Sequence, residues 1–510
     1  MCRCWFRPTA TAPTAAAKGM SGTIRFLLDG HLHTVACADP TMSLLNYLRY
    51  DAVRTGTKEG CAEGDCGACT VVIGELIGEH VQYRAMNACI LFLPTLDGKE
   101  LLTVESLAGK DGTLHPVQQA LVETHGSQCG FCTPGFVMSL YVLYLKGIMP
   151  SKSEIEDTLA GNLCRCTGYG PIIEAASRMF ELGQEALADV PAKAAALRAI
   201  QRTDTLELVG KGMITHAEKR YFAPVTLDAL ADLVAANPGA TILAGGTDVG
   251  LWVTKMHREL STVIYLGGVA ALKETCETAD AIEIGAGVCY SDAADTLARH
   301  YPDMGEIIRR IGSTQIRNSG TVGGNIANGS PIGDSPPLLI AANAQIVLRH
   351  GTDVRTVALN DYFLEYGKQD RAPGEFLVKI IVPKPAPNLV FKAYKLSKRF
   401  DQDISAVCAG FALVMDGDIV EDARLAYGGM AATPKRAAHA ETALVGKPFS
   451  DASVKAAMAA MMDDFTPLSD MRASADYRMQ AAQNLLMKMF LECTGGNDIR
   501  LAGQREAVHV

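Results

Sequence analysis

The sequence predicts a multidomain α+β protein, and three observations carry that expectation. The first is length: 510 residues, at roughly 100–200 residues per domain, hold about two to four domains. The second is a change of hydrophobic period, from alternating runs before residue 105, to helical runs over 106–182, to interleaved strand and helix patterns from 219 on. The third is the placing of the fifteen cysteines, most of which fall before residue 170 in glycine-flanked loops. The chain is 48% hydrophobic and 6% aromatic, enough for an ordinary core in each domain. A net charge of −9 with no basic stripe argues against nucleic acid. No apolar run reaches the ~18 residues of a membrane span.

Residues 1–20 carry Arg and Lys, no acids and no continuous apolar run, which argues against a secretory signal. They read as a disordered leader, or as a mitochondrial-type presequence, with the folded chain starting near Met20; Cys2 and Cys4 are given no role. In "TIRFLLDGHLHTVAC" the pair Asp29–Gly30 separates two alternating runs, a hairpin signal. "TMSLLNYLRY" reads as a helix with Thr41 as N-cap. A Gly- and Cys-rich loop and short strands follow to about Glu105, giving a small α+β domain with a mixed sheet over 21–105. Residues 106–182 hold four helical runs ended by Gly, with Ser151 or Ser153 capping the third. Residues 183–218, Ala-rich and charged, read as a linker. From 219 to 385 strands and helices alternate, with "VTLDALADLVAANPG" as a capped amphipathic helix. Strands return over 386–510, followed by helices rich in Ala and Met.

Two cysteine constellations carry the chemistry. "GTKEGCAEGDCGACT" places Cys61, Cys66 and Cys69 as C-x4-C-x2-C, and Cys89 follows in "NACILF". That is the plant-type ferredoxin spacing for a [2Fe–2S] cluster: one loop supplies three ligands and a distant residue the fourth. Gly60, Gly64 and Gly67 let the backbone pass close to the inorganic sulfides. A zinc site usually pairs C-x2-C with a second such pair, which this is not. The second constellation is Cys129 and Cys132 in "GSQCGFCTPG" with Cys164 and Cys166 in "GNLCRCTGYG". On spacing alone zinc competes with iron–sulfur here; the neighbouring cluster favours an electron relay. Cys37, Cys276, Cys289, Cys408 and Cys493 stand singly and read as buried free thiols.

Those three cysteine segments, in this order, resemble the iron–sulfur half of the xanthine dehydrogenase family of molybdenum hydroxylases. The resemblance implies a ferredoxin-like β-grasp [2Fe–2S] domain and a four-helix domain with a second [2Fe–2S] cluster on Cys129, Cys132, Cys164 and Cys166. Past the linker, "TILAGGTDVGL" and "GTVGGNIANGSPIGDSPPLL" resemble the family's FAD-binding segments. Neither holds G-x-G-x-x-G, so the expected FAD domain is α+β and not of the Rossmann type. By the match, FAD meets Ile242, Leu243, Ala244, Gly245, Gly246, Thr247, Asp248 and Val249. It then meets Thr321, Val322, Gly323, Gly324 and Asn325, with Asp334 on a ribose or adenine edge and Lys395 near the flavin ring. Ile311 and Leu377 match contact positions. Residues 386–510 correspond to the C-terminal α+β domain of the flavin module.

Members of the family continue into a large molybdopterin-binding domain, and this sequence stops at Val510. The resemblance therefore implies the small subunit of a split, cytoplasmic, bacterial-type enzyme. A large molybdopterin-binding partner would hold the substrate, with two copies of each chain. Electrons from hypoxanthine or xanthine would cross both clusters to FAD and leave as hydride to NAD+, so no catalytic acid or base is expected on this chain. An aldehyde, nicotinate or carbon monoxide dehydrogenase subunit is the first alternative. A non-enzymatic metal-binding or redox-sensing scaffold is the second.

Overall fold

The structure, a computed structural model, describes residues 22–183 and 190–495; the expected leader, with Cys2 and Cys4, lies outside them. The chain forms two compact units. The first runs to Leu272 and takes back Gly312–Thr321; the second holds Lys273–Ile311 and continues from Val322.

The first unit opens with the predicted hairpin, Thr23–Leu28 against His31–Ala36, turned at Asp29 and Gly30, both at positive φ. With Thr70–Ile77, His80–Asn87 and Glu100–Leu102 it makes a five-stranded sheet. The sheet is mixed because Thr23–Leu28 pairs parallel to Glu100–Leu102 while its other pairings are antiparallel. The helix before the cysteine loop is a short turn, Leu44–Asn46, continued as π-helix over Tyr47–Asp51. Its N-cap is Ser43 and not Thr41. Thr41 accepts instead from the Lys219 ammonium at 2.7 Å, which also meets both oxygens of Asp39.

Four helices follow as predicted: Pro116–Glu123, Thr133–Tyr144, Lys152–Leu159 and Gly170–Glu181. Ser151 caps the third in a reciprocal box with Glu154. Their apolar faces share one core with Val72 and Leu102 of the sheet.

The expected linker over 183–218 is largely structured. Val190–Ile200 is a helix that buries Leu197 and Ile200 against Leu27. After it, Arg202 makes a buried ion pair with Asp97. Leu206–Lys211 then pairs with Glu218–Ala223 in a second sheet, completed by Thr262–Tyr265 and Thr241–Leu243. An Ala-rich stretch carries little periodic signal, and the partners that fix this one lie about a hundred residues earlier.

The second unit has a five-stranded antiparallel sheet in the order Thr275–Glu277, Ala281–Gly285, Phe376–Pro383, Gln345–His350, Asp353–Ala358. Helices Tyr290–His300, Pro302–Arg309 and Ser335–Ala341 share its core. Leu389–Leu396, Val407–Asp416, Ile419–Gly428 and Lys435–Arg436 form an antiparallel meander. Against it pack the Ala- and Met-rich helices Asp451–Asp464 and Ala475–Thr494. The expected 219–385 domain is thus divided between the two units.

Candidate cluster and cofactor sites

The first cysteine loop is wound by three left-handed residues, Ala62, Gly64 and Gly67. Asn87, at the end of its strand, pins it by donating to the Gly64 carbonyl at 2.8 Å. Cys69 stands directly before strand Thr70–Ile77 and Cys89 two residues after His80–Asn87, each 2% exposed. Thiol hydrogen bonds join Cys61 to Cys66 and to Cys89, and Cys89 to Cys69. These contacts hold the Cys61 thiol well below its ordinary range, helped by backbone N–H donors from Glu63 and Cys66, each 3.4 Å from its sulfur. Cys66 and Cys89 move up, each by its hydrogen bond to Cys61 and by burial.

The second site sits at two helix–loop junctions. Cys132 is the N-cap residue of Thr133–Tyr144. Cys164 and Cys166 lie in the turn before Gly170–Glu181, with the Tyr169 hydroxyl accepting from the Cys164 N–H at 2.9 Å. Here the thiols fall into two pairs, Cys129 with Cys166 and Cys132 with Cys164. The Phe131 N–H, then Cys166, lowers Cys129; burial, then Cys164, pushes Cys132 up to about 12.

Both donor sets fit a two-iron cluster. Each iron of a [2Fe–2S] centre takes two protein sulfurs and shares the sulfides. Among the described residues no three His, Cys, Asp or Glu side chains converge as on a single metal ion; thiol contacts run from Cys66 through Cys61 and Cys89 to Cys69 in the first site and fall into two pairs in the second. The N–H groups directed at sulfur are the donors that tune such a centre. Of the single cysteines, Cys37, Cys276, Cys289 and Cys408 are buried as expected, but Cys493 is exposed.

The FAD expectations fall on both units. In the first, strand Thr241–Leu243 runs into the loop Ala244–Asp248 and the short helix Val249–Thr254. Gly245 packs on the Ser319 carbonyl, 1.9 Å from where a Cβ would stand, and Gly246 has φ +73°. The N–H groups of Gly245, Gly246 and Thr247 meet no protein acceptor among the described residues, so the loop offers the backbone donors a pyrophosphate needs. Thr321 is buried at the end of this unit's returning segment.

In the second unit, Val322, Gly323, Gly324 and Asn325 open the short helix Val322–Asn328. Gly323 packs on Ala286, 2.6 Å from a Cβ, and Asn325 accepts from Ser335 at 2.8 Å. The Asp334 carboxylate is 2.5 Å from the Lys395 ammonium and 2.5 Å from the Ser405 hydroxyl, all three buried. Asp334 and Lys395 form a buried ion pair. Leu377 is core, and Ile311 packs against the same core. A cavity of about 310 Å³ beside Cys89 is lined by none of the expected FAD residues.

Four family models match the chain. They are a 2Fe-2S iron-sulfur cluster binding domain over 26–93 and a [2Fe-2S] binding domain over 103–177. An FAD binding domain in molybdopterin dehydrogenase covers 215–385, and a CO dehydrogenase flavoprotein C-terminal domain 392–493. Xanthine dehydrogenase of Oryza sativa subsp. japonica is 31% identical over 96% of this chain and 41% of that protein. Xanthine dehydrogenase of Emericella nidulans is 31% identical over 89% of this chain and 38% of that protein. The chain thus spans about two fifths of the length of these relatives. A solved carbon monoxide dehydrogenase from Hydrogenophaga pseudoflava, lacking the Mo-pyranopterin moiety, matches 52% of this chain and 93% of its own. Its TM-score is 0.50 and its identity 29%. Among the described residues no helix is long and apolar enough to cross a membrane.

Proposed function

We propose that this chain, which belongs to the molybdenum hydroxylase family, is the electron-transfer subunit of a split xanthine dehydrogenase. In this reading it works in the cytoplasm with a separate molybdopterin-binding subunit, two copies of each, and takes hypoxanthine or xanthine to urate with NAD+ as acceptor. The observation that carries it is continuity: the likeness to xanthine dehydrogenases runs through both cysteine sites and both flavin segments, over 96% of the chain.

Cys61, Cys66, Cys69 and Cys89 hold one [2Fe–2S] cluster, and Cys129, Cys132, Cys164 and Cys166 the other. When bound, the clusters pass single electrons and FAD gathers two for release as hydride. The residues set the terms of that transfer. Glu63 and Cys66 N–H groups offset thiolate charge at Cys61 and so favour the reduced state. By the family match, residues of Ile242–Val249 and of Thr321–Asn325 hold FAD, and Ile311 and Leu377 are further contact positions. Asp334 holds the Lys395 ammonium, where the family match puts the flavin ring.

A second reading has its own support. The carbon monoxide dehydrogenase likeness, at 52% of the chain, and the matched flavoprotein C-terminal domain fit another hydroxylase of the family. Anaerobic visible spectra separate the two. The chain is purified with whatever copurifies, and spectra are recorded before and after xanthine, then after NAD+. Bleaching of the iron–sulfur and flavin bands by xanthine, with recovery on NAD+, supports the proposal. A partner-containing protein that dithionite bleaches and xanthine does not moves the substrate to another member's.

A further inference from the structure

Gln315 belongs to no cysteine motif and to no expected FAD segment, yet its side chain is 0% exposed. Its amide nitrogen lies 3.0 Å from Asn162 Oδ1, 3.1 Å from Ser139 Oγ and 3.4 Å from Thr70 Oγ1. Asn162 passes the link on by donating to the Gly67 carbonyl at 3.1 Å, and the Thr70 hydroxyl donates to the same carbonyl at 2.6 Å. Gly67 follows Cys66, Thr70 follows Cys69, and Asn162 stands two residues before Cys164. One side chain from a third segment therefore ties the two cysteine loops together.

At that seam the backbones touch. The Leu163 N–H donates to the Cys66 carbonyl at 3.0 Å. Cys66 of one site and Cys164 of the other are thereby joined through covalent bonds and a single hydrogen bond. The approach is too close for side chains: a Cβ on Gly67 would stand 2.1 Å from the Gly161 carbonyl, and one on Gly135 2.2 Å from the Gly67 carbonyl. Gln315 also keeps its Oε1 buried without a hydrogen-bond partner, an arrangement that costs free energy. Stability alone would put an apolar side chain there, so the amide donor end is what the position requires.

We propose that Gln315 is a positioning residue for electron transfer between the two sites. Its amide holds Asn162 and Thr70 so that the hydrogen bond from Leu163 to Cys66 keeps its geometry. The proposal rests on the electron-transfer reading above. The step it serves moves one electron, lost at the Cys164 site and gained at the Cys66 site, with no bond made and no proton transferred.

The test uses the holoprotein with its copurified partner, reduced with dithionite and measured by low-temperature electron paramagnetic resonance. With one unpaired electron on each site, magnetic interaction splits both signals, and the splitting reads the coupling. In Gln315→Met, similar in length but without a donor, iron content should match wild type while the splitting shrinks or is lost. Wild-type splitting at wild-type iron content overturns the proposal, including where only the melting temperature falls. If Gln315→Met takes up less iron, Ser139→Ala, which removes one acceptor and leaves the amide, decides by the same comparison. A wild-type protein with no iron and no reducible signal overturns the electron-transfer reading itself, and is recognised before any variant is made.

Discussion

The two cysteine sites offer the same four thiols and are built in opposite ways. Cys69 and Cys89 are part of a hydrophobic core, packed in one cluster with Leu44, Val71, Ile73 and Phe92. Cys129 and Cys166 are exposed, and only Cys132 and Cys164 touch the helical core. The first site is therefore coupled to folding: what its thiols bind also finishes the interior of a sheet domain. The second is a surface fitting on helices that share their core with the sheet regardless. For an electron relay the difference has a use, since one site must be open to a donor and the other kept from water.

Serine substitutions give the largest contrast. Cys89→Ser places a weaker ligand and an extra hydroxyl in the core, so the first cluster is lost and the fold is destabilised by about 2 kcal/mol or more. Cys166→Ser, at an exposed position, removes the second cluster's signal and leaves stability within about 0.5 kcal/mol. Iron content and melting temperature measured on both variants check this. Equal losses of melting temperature would remove the distinction between core and surface site.

How much of this was open to reading follows from where each partner lies. Cys61, Cys66 and Cys69 declare themselves because three ligands fall in one loop, and the Ser151–Glu154 box because capping is local. The Asp29–Gly30 hairpin is local in the same way. Thr41 reads locally as a cap, while the Lys219 that engages it is 178 residues away. The helix Val190–Ile200 reads as a linker because its neighbours Arg202 and Gln201 find their partners at Asp97 and Gly98. Nothing near Asp334 in the chain announces the contacts it makes with Lys395 and Ser405. Gln315 has no local signal at all: one glutamine among six residues of a short helix. Local chemistry is legible from spacing; buried polar contacts made across the fold are not.

Glycines at the two sites sharpen the contrast at an intermediate scale. Gly67 and Gly130 have similar left-handed backbones, φ +69° and +80°, so alanine strains both by about 1–2 kcal/mol. They differ in what a Cβ meets. At Gly67 it would be driven into the Gly161 carbonyl at 2.1 Å, whereas at Gly130 nothing lies within 4 Å. Gly67→Ala should therefore cost several kcal/mol, on the order of the large values seen for strain and overpacking, and disturb both clusters' spectra. Gly130→Ala should show only the backbone cost. Urea unfolding of each variant, with visible spectra recorded alongside, measures both.

The smallest effect is one of rate. Removal of iron by a chelator needs the chelator, or water and acid, to reach a cluster sulfur. At the second site the Cys129 and Cys166 sulfurs are offered at the surface; at the first, Cys69 and Cys89 are each 2% exposed and reached only by opening the core. Exposed groups react from the folded state, while buried ones wait for a local or global unfolding whose free energy sets the rate. In oxidised holoprotein under a chelator, bleaching should then be biphasic, and the fast phase should be absent from Cys166→Ser. Mild urea should accelerate the slow phase and leave the fast one nearly unchanged, because only the slow phase depends on opening. A single phase with one urea dependence would mean that both sites are released by the same unfolding event, and that the exposure of Cys129 and Cys166 does not make their site kinetically separate.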